Sequence, residues 1–276
     1  MAQVFYAEHI PKSYLAIRES AKEYAHENFL LIHDLYAFDP KAQLSFLERW
    51  KEKKWIKKHI RSTESIFVWS EFTGDELTRI FPEAKSKISI QHPLPNPAYT
   101  QTDEDARDAI RYQNTEGDAY FIYKGPIHPA ANIISLLKGF SIFKKRIGSN
   151  MKMVLCGPQG NYSADILDAL EYYKYKKDVL LFPQSGKWEE QSLISSAYAL
   201  IHPCPYERFG IPVFNAMKAG VPVLTVENSS MSEFCGMAGM YFNPLEPEDI
   251  GEKLILIYND EQIRSEMIGT GLVRTS

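Results

Sequence analysis

From Ala119 onward, apolar runs of five to seven residues alternate with amphipathic stretches, and few folds accommodate that rhythm. The runs are AYFIYKG (119–125), MKMVLCG (151–157), DVLLF (178–182), YALIHP (198–203) and VPVLTV (221–226). Between and after them, helical patterns cover Asn132–Arg146, Ala164–Lys174, Glu189–Ala197, Pro212–Ala219, Asp249–Tyr258 and Glu261–Gly269. A strand that is apolar on consecutive residues is buried on both faces, which calls for a parallel sheet with helices above and below it. The predicted architecture is therefore a doubly wound α/β domain. The first half follows the same grammar less regularly: a helix over 13–27, FLLI (29–32), a helical pattern over 41–60, SIFVWS (65–70), a helix from about Thr73, and a strand in KISIQHPLPNPAY (87–99). Residues 100–118 are densely charged and poor in large apolar groups, so they read as a linker. That places the domains at 1–112 and 113–276.

Composition removes several classes of function. Lys plus Arg total 31 against 35 Asp plus Glu, a net charge of -4, which argues against a nucleic-acid-binding surface. The three cysteines, Cys156, Cys204 and Cys235, form no CxxC pair, which fits a reducing cytoplasm and argues against a disulfide scaffold or structural zinc. No apolar run approaches the length of a membrane helix, and Glu8 and His9 stand where a signal peptide needs an apolar core. The expectation is a cytoplasmic protein.

Parallel sheets bind ligands beyond the carboxyl ends of their strands. The candidate loops are therefore KGPIHPAAN (124–132), CGPQG (156–160), HPCPYERFG (202–210) and VENSSMSE (226–233). Small residues leading into helix N-termini suit a phosphate-bearing ligand, because backbone N–H groups there lack partners. The GxGxxG, GxxxxGK[ST] and GxSxG patterns are absent. Asp103 and Asp105 form a DxD pair, but within the charged stretch it reads as a solvated turn. No histidine pairing suggests a metal site.

Residues 202–244, HPCPYERFGIPVFNAMKAGVPVLTVENSSMSEFCGMAGMYFNP, resemble the C-terminal half of the retaining GT-B glycosyltransferases (the group 1, family 4-like enzymes). That family's signature is a Glu-Gly-Phe-Gly loop, a helix with a second Glu, Gly-x-Pro-Val, and an Asn/Ser-rich loop before Glu. Residues 123–160 resemble its first strand, helix and second strand; FLLIHDLYAF (29–38) and 66–99 resemble segments of its N-terminal domain. The resemblance implies two Rossmann-like doubly wound domains, the N-terminal one incomplete here. It implies transfer of a hexosyl group from a nucleotide-diphosphate sugar to a glycan or lipid-linked acceptor in polysaccharide biosynthesis, with retention and without a metal or other cofactor. Glu207 falls on the residue that contacts the donor sugar, and His33 on the histidine beside the reaction centre. Phe209 and Gly210 retain the loop whose backbone approaches the donor, Gly125 the strand-end glycine, and Ser229 and Ser230 the loop over the diphosphate.

The sequence departs from that pattern at charged positions. The second Glu, which accepts from the nucleotide ribose, is Asn215, and the basic residues that clamp the diphosphate are replaced around Pro126, Ala130 and Ala131. Each charge-assisted hydrogen bond is worth roughly 1.5–3 kcal/mol. Arg208, which replaces the signature's first Gly, Lys124 and His128 are the nearby sources of positive charge. The alternative is a non-catalytic remnant that binds a sugar nucleotide or glycan, or completes a partner transferase, with a partner chain supplying the rest of the N-terminal domain. Finally, RWKEKKWIKKHIR (49–61) holds seven Lys or Arg against one Glu. It reads as a solvated helix face, or as a peripheral contact with anionic lipid on the inner membrane face.

Overall fold

The computed structural model describes residues 29–32, 35–39, 45–158, 164–182, 187–205 and 210–276. The expected helix over 13–27 lies outside them. The chain divides into two compact units, Met1–Asn96 and Pro97–Ser276.

The first unit runs β1 (Phe29–Ile32), α1 (Phe46–Ser62), β2 (Ser65–Val68), α2 (Glu71–Ile80) and β3 (Ile88–Ile90). Its strands form a parallel sheet in the order β1-β2-β3, with Leu30 opposite Ile66 and Val68 opposite Ile90. A capping box starts α1: Ser45 Oγ accepts the Glu48 N–H, and the Glu48 carboxylate accepts the Ser45 N–H at 3.0 Å. At its other end, the Lys87 ammonium donates to the Ile60 and Thr63 carbonyls at 3.0 and 2.7 Å, where a cation complements the helix dipole. α1 turns Ile56 and Ile60 inward onto Leu30, Ile32, Ile66, Val68, Leu77 and Phe81. Pro82 follows the end of α2, since it cannot continue the helical hydrogen-bond ladder.

The second unit opens with α3 (Glu104–Thr115) and continues β4 (Tyr120–Lys124), α4 (Ile133–Ile147), β5 (Lys152–Cys156), α5 (Ala164–Glu171), β6 (Val179–Phe182) and α6 (Lys187–Ser195). It ends with β7 (Ala199–His202), α7 (Ile211–Lys218), β8 (Val223–Val226), α8 (Ser230–Cys235), β9 (Gly239–Phe242), α9 (Pro247–Asn259) and α10 (Glu261–Arg274). All its strand pairs are parallel, in the order β6-β5-β4-β7-β8-β9. Tyr120 to Tyr123 on central strand β4 are buried on both faces of the sheet. Phe121, Phe140 and Phe143 pack edge-to-face and stacked between β4 and α4, each burial worth about 1.5–3 kcal/mol.

Three sequence expectations need correction. Residues 100–118 are not a linker, because α3 occupies most of them and belongs to the second unit, which begins at Pro97. The Asp103 carboxylate accepts the Ala106 N–H at 2.8 Å, Glu104 and Asp105 sit in the positive first turn, and Glu116 closes the helix in the left-handed conformation. The charges that suggested a linker are the helix's capping residues, and Asp103 of the DxD pair is its N-cap. Strand β9 has no counterpart among the expected strands; it is four residues long and, among the described residues, pairs with β8 alone. The last helix runs past Gly269 to Arg274, whose guanidinium reaches back to the carbonyls of Phe234 and Glu233 at the end of α8.

Candidate functional site

In the second unit, strand order reverses between β4 and β7, so the crevice for a ligand lies beyond their carboxyl ends. The last residues of these strands form its floor. Tyr123 stacks on the wholly buried ring of His202, with centroids 5.9 Å apart, and Thr225 Oγ1 donates to the His202 carbonyl from β8.

The loop after β4 is tied on both sides. Toward β5, the Gly125 N–H donates to the Cys156 carbonyl at 3.0 Å and the Ile127 N–H to the Pro158 carbonyl at 2.9 Å. This approach requires glycine at 157, where a Cβ would stand 1.8 Å from the Gly125 oxygen. Toward β7, the Asn132 amide donates to the Pro203 carbonyl at 3.0 Å, and the Cys204 thiol meets the Ala130 carbonyl at 3.5 Å. The Tyr123 hydroxyl donates to the Pro126 carbonyl and His128 Nδ1 accepts the Ala130 N–H. Gly125 therefore brings backbone to the crevice with its own N–H already engaged.

Gly210 opens α7 in the left-handed conformation, φ 60°, with the Phe234 ring so close that a Cβ would lie 2.3 Å from it. That contact locks the start of α7 against α8, where Phe214 also meets Phe234 at 5.2 Å. Ser229 is the N-cap of α8: its hydroxyl donates to the Val226 carbonyl at 3.0 Å and accepts the Met231 N–H at 3.2 Å. Ser230 is the first residue of that helix and nearly buried. His33, Glu207, Arg208 and Phe209 lie outside the described residues.

Asn215, on α7 and 5% exposed, belongs to a polar cluster whose other members sequence analysis did not bring together. An interaction with its side chain favours the ionised form of the Tyr99 phenol, though less than burial disfavours it. The same hydroxyl lies 3.5 Å from Glu190 Oε1 on α6, and Glu190 Oε2 accepts from the Lys124 ammonium at 2.8 Å. Burial, and then the Glu190 charge, hold the Tyr99 phenol well above its usual pKa, so it is a neutral donor. Gln191 fastens the neighbouring backbone by donating to the Ala98 carbonyl. Lys124 is thus a cation at this edge already paired with a carboxylate. Of these, the sequence singles out only Lys124 and Asn215; Tyr99 ends the proline-rich stretch 87–99 and Glu190 lies in the expected helix 189–197, and neither residue is marked by a motif of its own.

Among the described residues, no group of three or more His, Cys, Asp or Glu is arranged to hold a metal ion. No described helix is long and apolar enough to cross a membrane.

Comparison with known proteins agrees with this geometry. O-antigen chain mannosyltransferase B of Escherichia coli is 23% identical over 272 residues, covering 98% of this chain and 69% of that protein. O-antigen chain mannosyltransferase RfbU of Salmonella typhimurium is 24% identical over 215 residues, covering 78% of this chain and 56% of that one. The crystal structure of Anabaena HepE in complex with UDP and glucose superposes with a TM-score of 0.76 at 13% identity, over 95% of this chain and 70% of that one. The fold is accordingly of the GT-B type, with two Rossmann-like units. The profile of the family described as glycosyl transferases group 1 matches residues 106–272, and the chain belongs to that family.

Proposed function

We propose that the chain transfers a hexosyl group, mannosyl or closely related, from a nucleotide-diphosphate sugar to a glycan or lipid-linked acceptor with retention of configuration. The observation that carries this reading is the crevice at the β4–β7 strand reversal, within the segment that matches the group 1 family. The mannosyltransferase relatives supply the sugar class, and the UDP-bound structural neighbour supports a nucleotide in such a crevice. Asn215 accepts from the nucleoside sugar, while Glu207 and the backbone at Phe209 and Gly210 hold the hexosyl group. Ser229 and Ser230 shape the loop over the diphosphate, and Arg208 supplies the positive charge missing at Pro126, Ala130 and Ala131. His33 is the candidate catalytic residue of the first unit's sequence. The main rate-enhancing device is stabilisation of the departing diphosphate by fixed donors, which needs neither metal nor covalent cysteine chemistry.

Calorimetry with UDP, GDP and their sugars tests this reading. Micromolar binding of one nucleotide, with the sugar-dependent part of the affinity lost in Glu207→Ala, is the expected result. No binding up to millimolar would replace the transferase with the non-catalytic remnant, and a partner chain would then be sought.

The lipid-linked acceptor rests on α1, on the inner membrane face. Phe46, Leu47 and Trp50 are exposed at its first turns, 85% in the case of Phe46, beside exposed Lys51, Lys54, Lys57 and Lys58. The Lys54 ammonium lies over the Trp50 ring, 4.7 Å from its centroid. Apolar anchors joined to a basic face are the two signals that hold a protein on anionic lipid. Co-sedimentation with vesicles containing phosphatidylglycerol should fall in Phe46→Ser/Trp50→Ser and in Lys54→Glu/Lys58→Glu. Equal sedimentation with neutral vesicles would remove the contact.

A further inference from the structure

At the amino edge of the six-stranded sheet, away from the crevice, three arginines gather around the turn that joins α6 to β7. Arg107 and Arg111 stand one turn apart on α3, so their side chains share a face of that helix. The Arg111 Nε–H donates to the Ser196 carbonyl at 3.2 Å, just past the end of α6. Two residues on, the Tyr198 ring carries the Arg264 guanidinium 4.5 Å from its centroid, delivered by the first turn of α10. The turn itself is fixed to the sheet, because the Tyr198 N–H donates to the Tyr120 carbonyl at the start of β4. Burial, then the neighbouring charge of Arg107, and with it that of Arg264, lowers the Arg111 pKa from its ordinary value, as like charges crowded together do.

The acceptors here do not match the donors. Each guanidinium carries five N–H groups. Among the described residues, Arg107 meets the Thr102 carbonyl at 3.3 Å and no carboxylate. Arg111 has the Ser196 carbonyl and Asp108 at 3.6 Å, and Arg264 has Glu261 at 2.8 Å. Those two carboxylates are mostly exposed, whereas the Arg111 and Arg264 side chains are 16% and 12% exposed, so water screens the anions more than the cations. Arg107 Nε and Arg264 Nε are buried with no acceptor, and Ser196 Oγ, on a residue with no exposed surface, has no partner. Folded proteins rarely strand such groups, and three of them around one cationic cluster call for a further acceptor that carries negative charge.

We propose that this cluster is a second binding site, for a tetrahedral phosphoryl oxyanion such as inorganic phosphate, held by Arg107, Arg111 and Arg264 with the Ser196 hydroxyl as a further donor. A carboxylate has two oxygens and serves one guanidinium fork, whereas a phosphoryl group offers oxygens to all three guanidinium groups and to the hydroxyl. Its charge offsets the excess of cations that Asp108 and Glu261 leave. The anion joins α3, α10 and the turn between α6 and β7, three segments far apart in sequence, so its binding is read as stability of the second unit. The site lies at the opposite edge of the sheet from the nucleotide crevice and does not depend on what the crevice binds.

The test is thermal unfolding of the full chain in sodium phosphate against sodium chloride of matched ionic strength. Phosphate at about 10 mM is expected to raise the Tm by about 3 °C over chloride, saturating with concentration as a millimolar site does. General exclusion of phosphate from protein surfaces does not saturate and acts on every variant alike, so the variants decide. Arg107→Gln and Arg264→Gln should each cut the phosphate shift to below about 1 °C. Each variant is compared with itself in chloride, so a change in its basal stability does not enter the result. Ser196→Ala should keep or raise the Tm in chloride, because it removes a stranded hydroxyl, and should show a smaller phosphate shift. Arg208→Ala, in the loop before α7, should retain the full shift, which separates this site from a diphosphate seat in the crevice. Methyl phosphate separates the two sources of such a group: a shift as large as that of phosphate assigns a phosphomonoester, and its loss assigns the free anion. A phosphate shift that is absent from the unmodified chain, that survives both arginine variants, or that disappears in Arg208→Ala alone overturns the site.

Discussion

Each end of the six-stranded sheet carries a network of lysines and carboxylates, and the two networks are built for different purposes. At the amino end, Asp178, just before β6, accepts from Lys144 on the last turn of α4 and from Lys152 at the start of β5, both at 2.9 Å; Lys152 also reaches Asp118 at 3.4 Å. Lys144, 7% exposed on its side chain, completes its donors on the carbonyls of Ser149 and Met151. Charges balance there and each group ties one element to another. At the carboxyl end, the Lys124–Glu190 pair continues to the Tyr99 hydroxyl, and the adjacent loops are held by backbone contacts to glycines and prolines. The first network closes on itself, while the second leads toward the crevice. Similar ion pairs thus serve stability at one edge and orientation at the other, as expected of a fold whose ligands bind beyond the carboxyl ends.

The largest effect should come from breaking the backbone approach at the carboxyl edge. In Gly157→Ala the new methyl would meet the Gly125 oxygen, backbone against backbone, which no side-chain rotation relieves. We expect a loss of more than about 4 kcal/mol, read as failure to accumulate soluble protein or a collapsed thermal transition. A variant folding as well as the parent would show that the first two loops do not pack as described.

Next comes the amino edge. Asp178→Asn leaves Lys144 buried against carbonyls without its carboxylate, and a destabilisation of roughly 2–4 kcal/mol is expected by chemical denaturation, at the lower end because Asp178 is partly solvated. Nucleotide affinity should not move. Glu190→Gln should lose less, roughly 1–2 kcal/mol, because Lys124 and Glu190 are somewhat more exposed than Lys144 and Asp178, and at the carboxyl edge nucleotide affinity should fall as well. If both variants lost stability and affinity together, the division between the edges would be wrong.

Much of the second unit was legible because its strands are continuous apolar runs bounded by glycine or proline, a local signal. α3 was misread because its capping acids, Asp103 to Asp105, are the same residues that make a linker look charged; Asp103 as N-cap with Glu116-Gly117 as stop was the available clue. β9 is four residues with partial burial and too short for periodicity to speak. The polar cluster is illegible for a different reason. Tyr99 lies in the loop before α3, Lys124 on β4, Glu190 on α6 and Asn215 on α7, so only the fold brings them to one edge.

The smallest effect, and the sharpest on the comparison, is in acid. Burial pushes the Asp178 carboxyl up, but hydrogen bonds and charge from Lys152 and Lys144 outweigh it and hold its pKa below the ordinary value of 3.8. A carboxyl whose folded pKa is depressed contributes stability that is fully present above its unfolded value and is lost as pH falls through the folded one. The unmodified chain should therefore lose stability progressively below about pH 4, taking up a proton at Asp178 on unfolding. Asp178→Asn should flatten part of that limb, so that the gap between the two proteins narrows as the pH drops. Urea midpoints from pH 6 to pH 3 measure it. A gap that stays constant would mean that Asp178 acts through its shape and hydrogen bonds rather than its charge, and the amino-edge network would then be no more electrostatic than the backbone stitching opposite it.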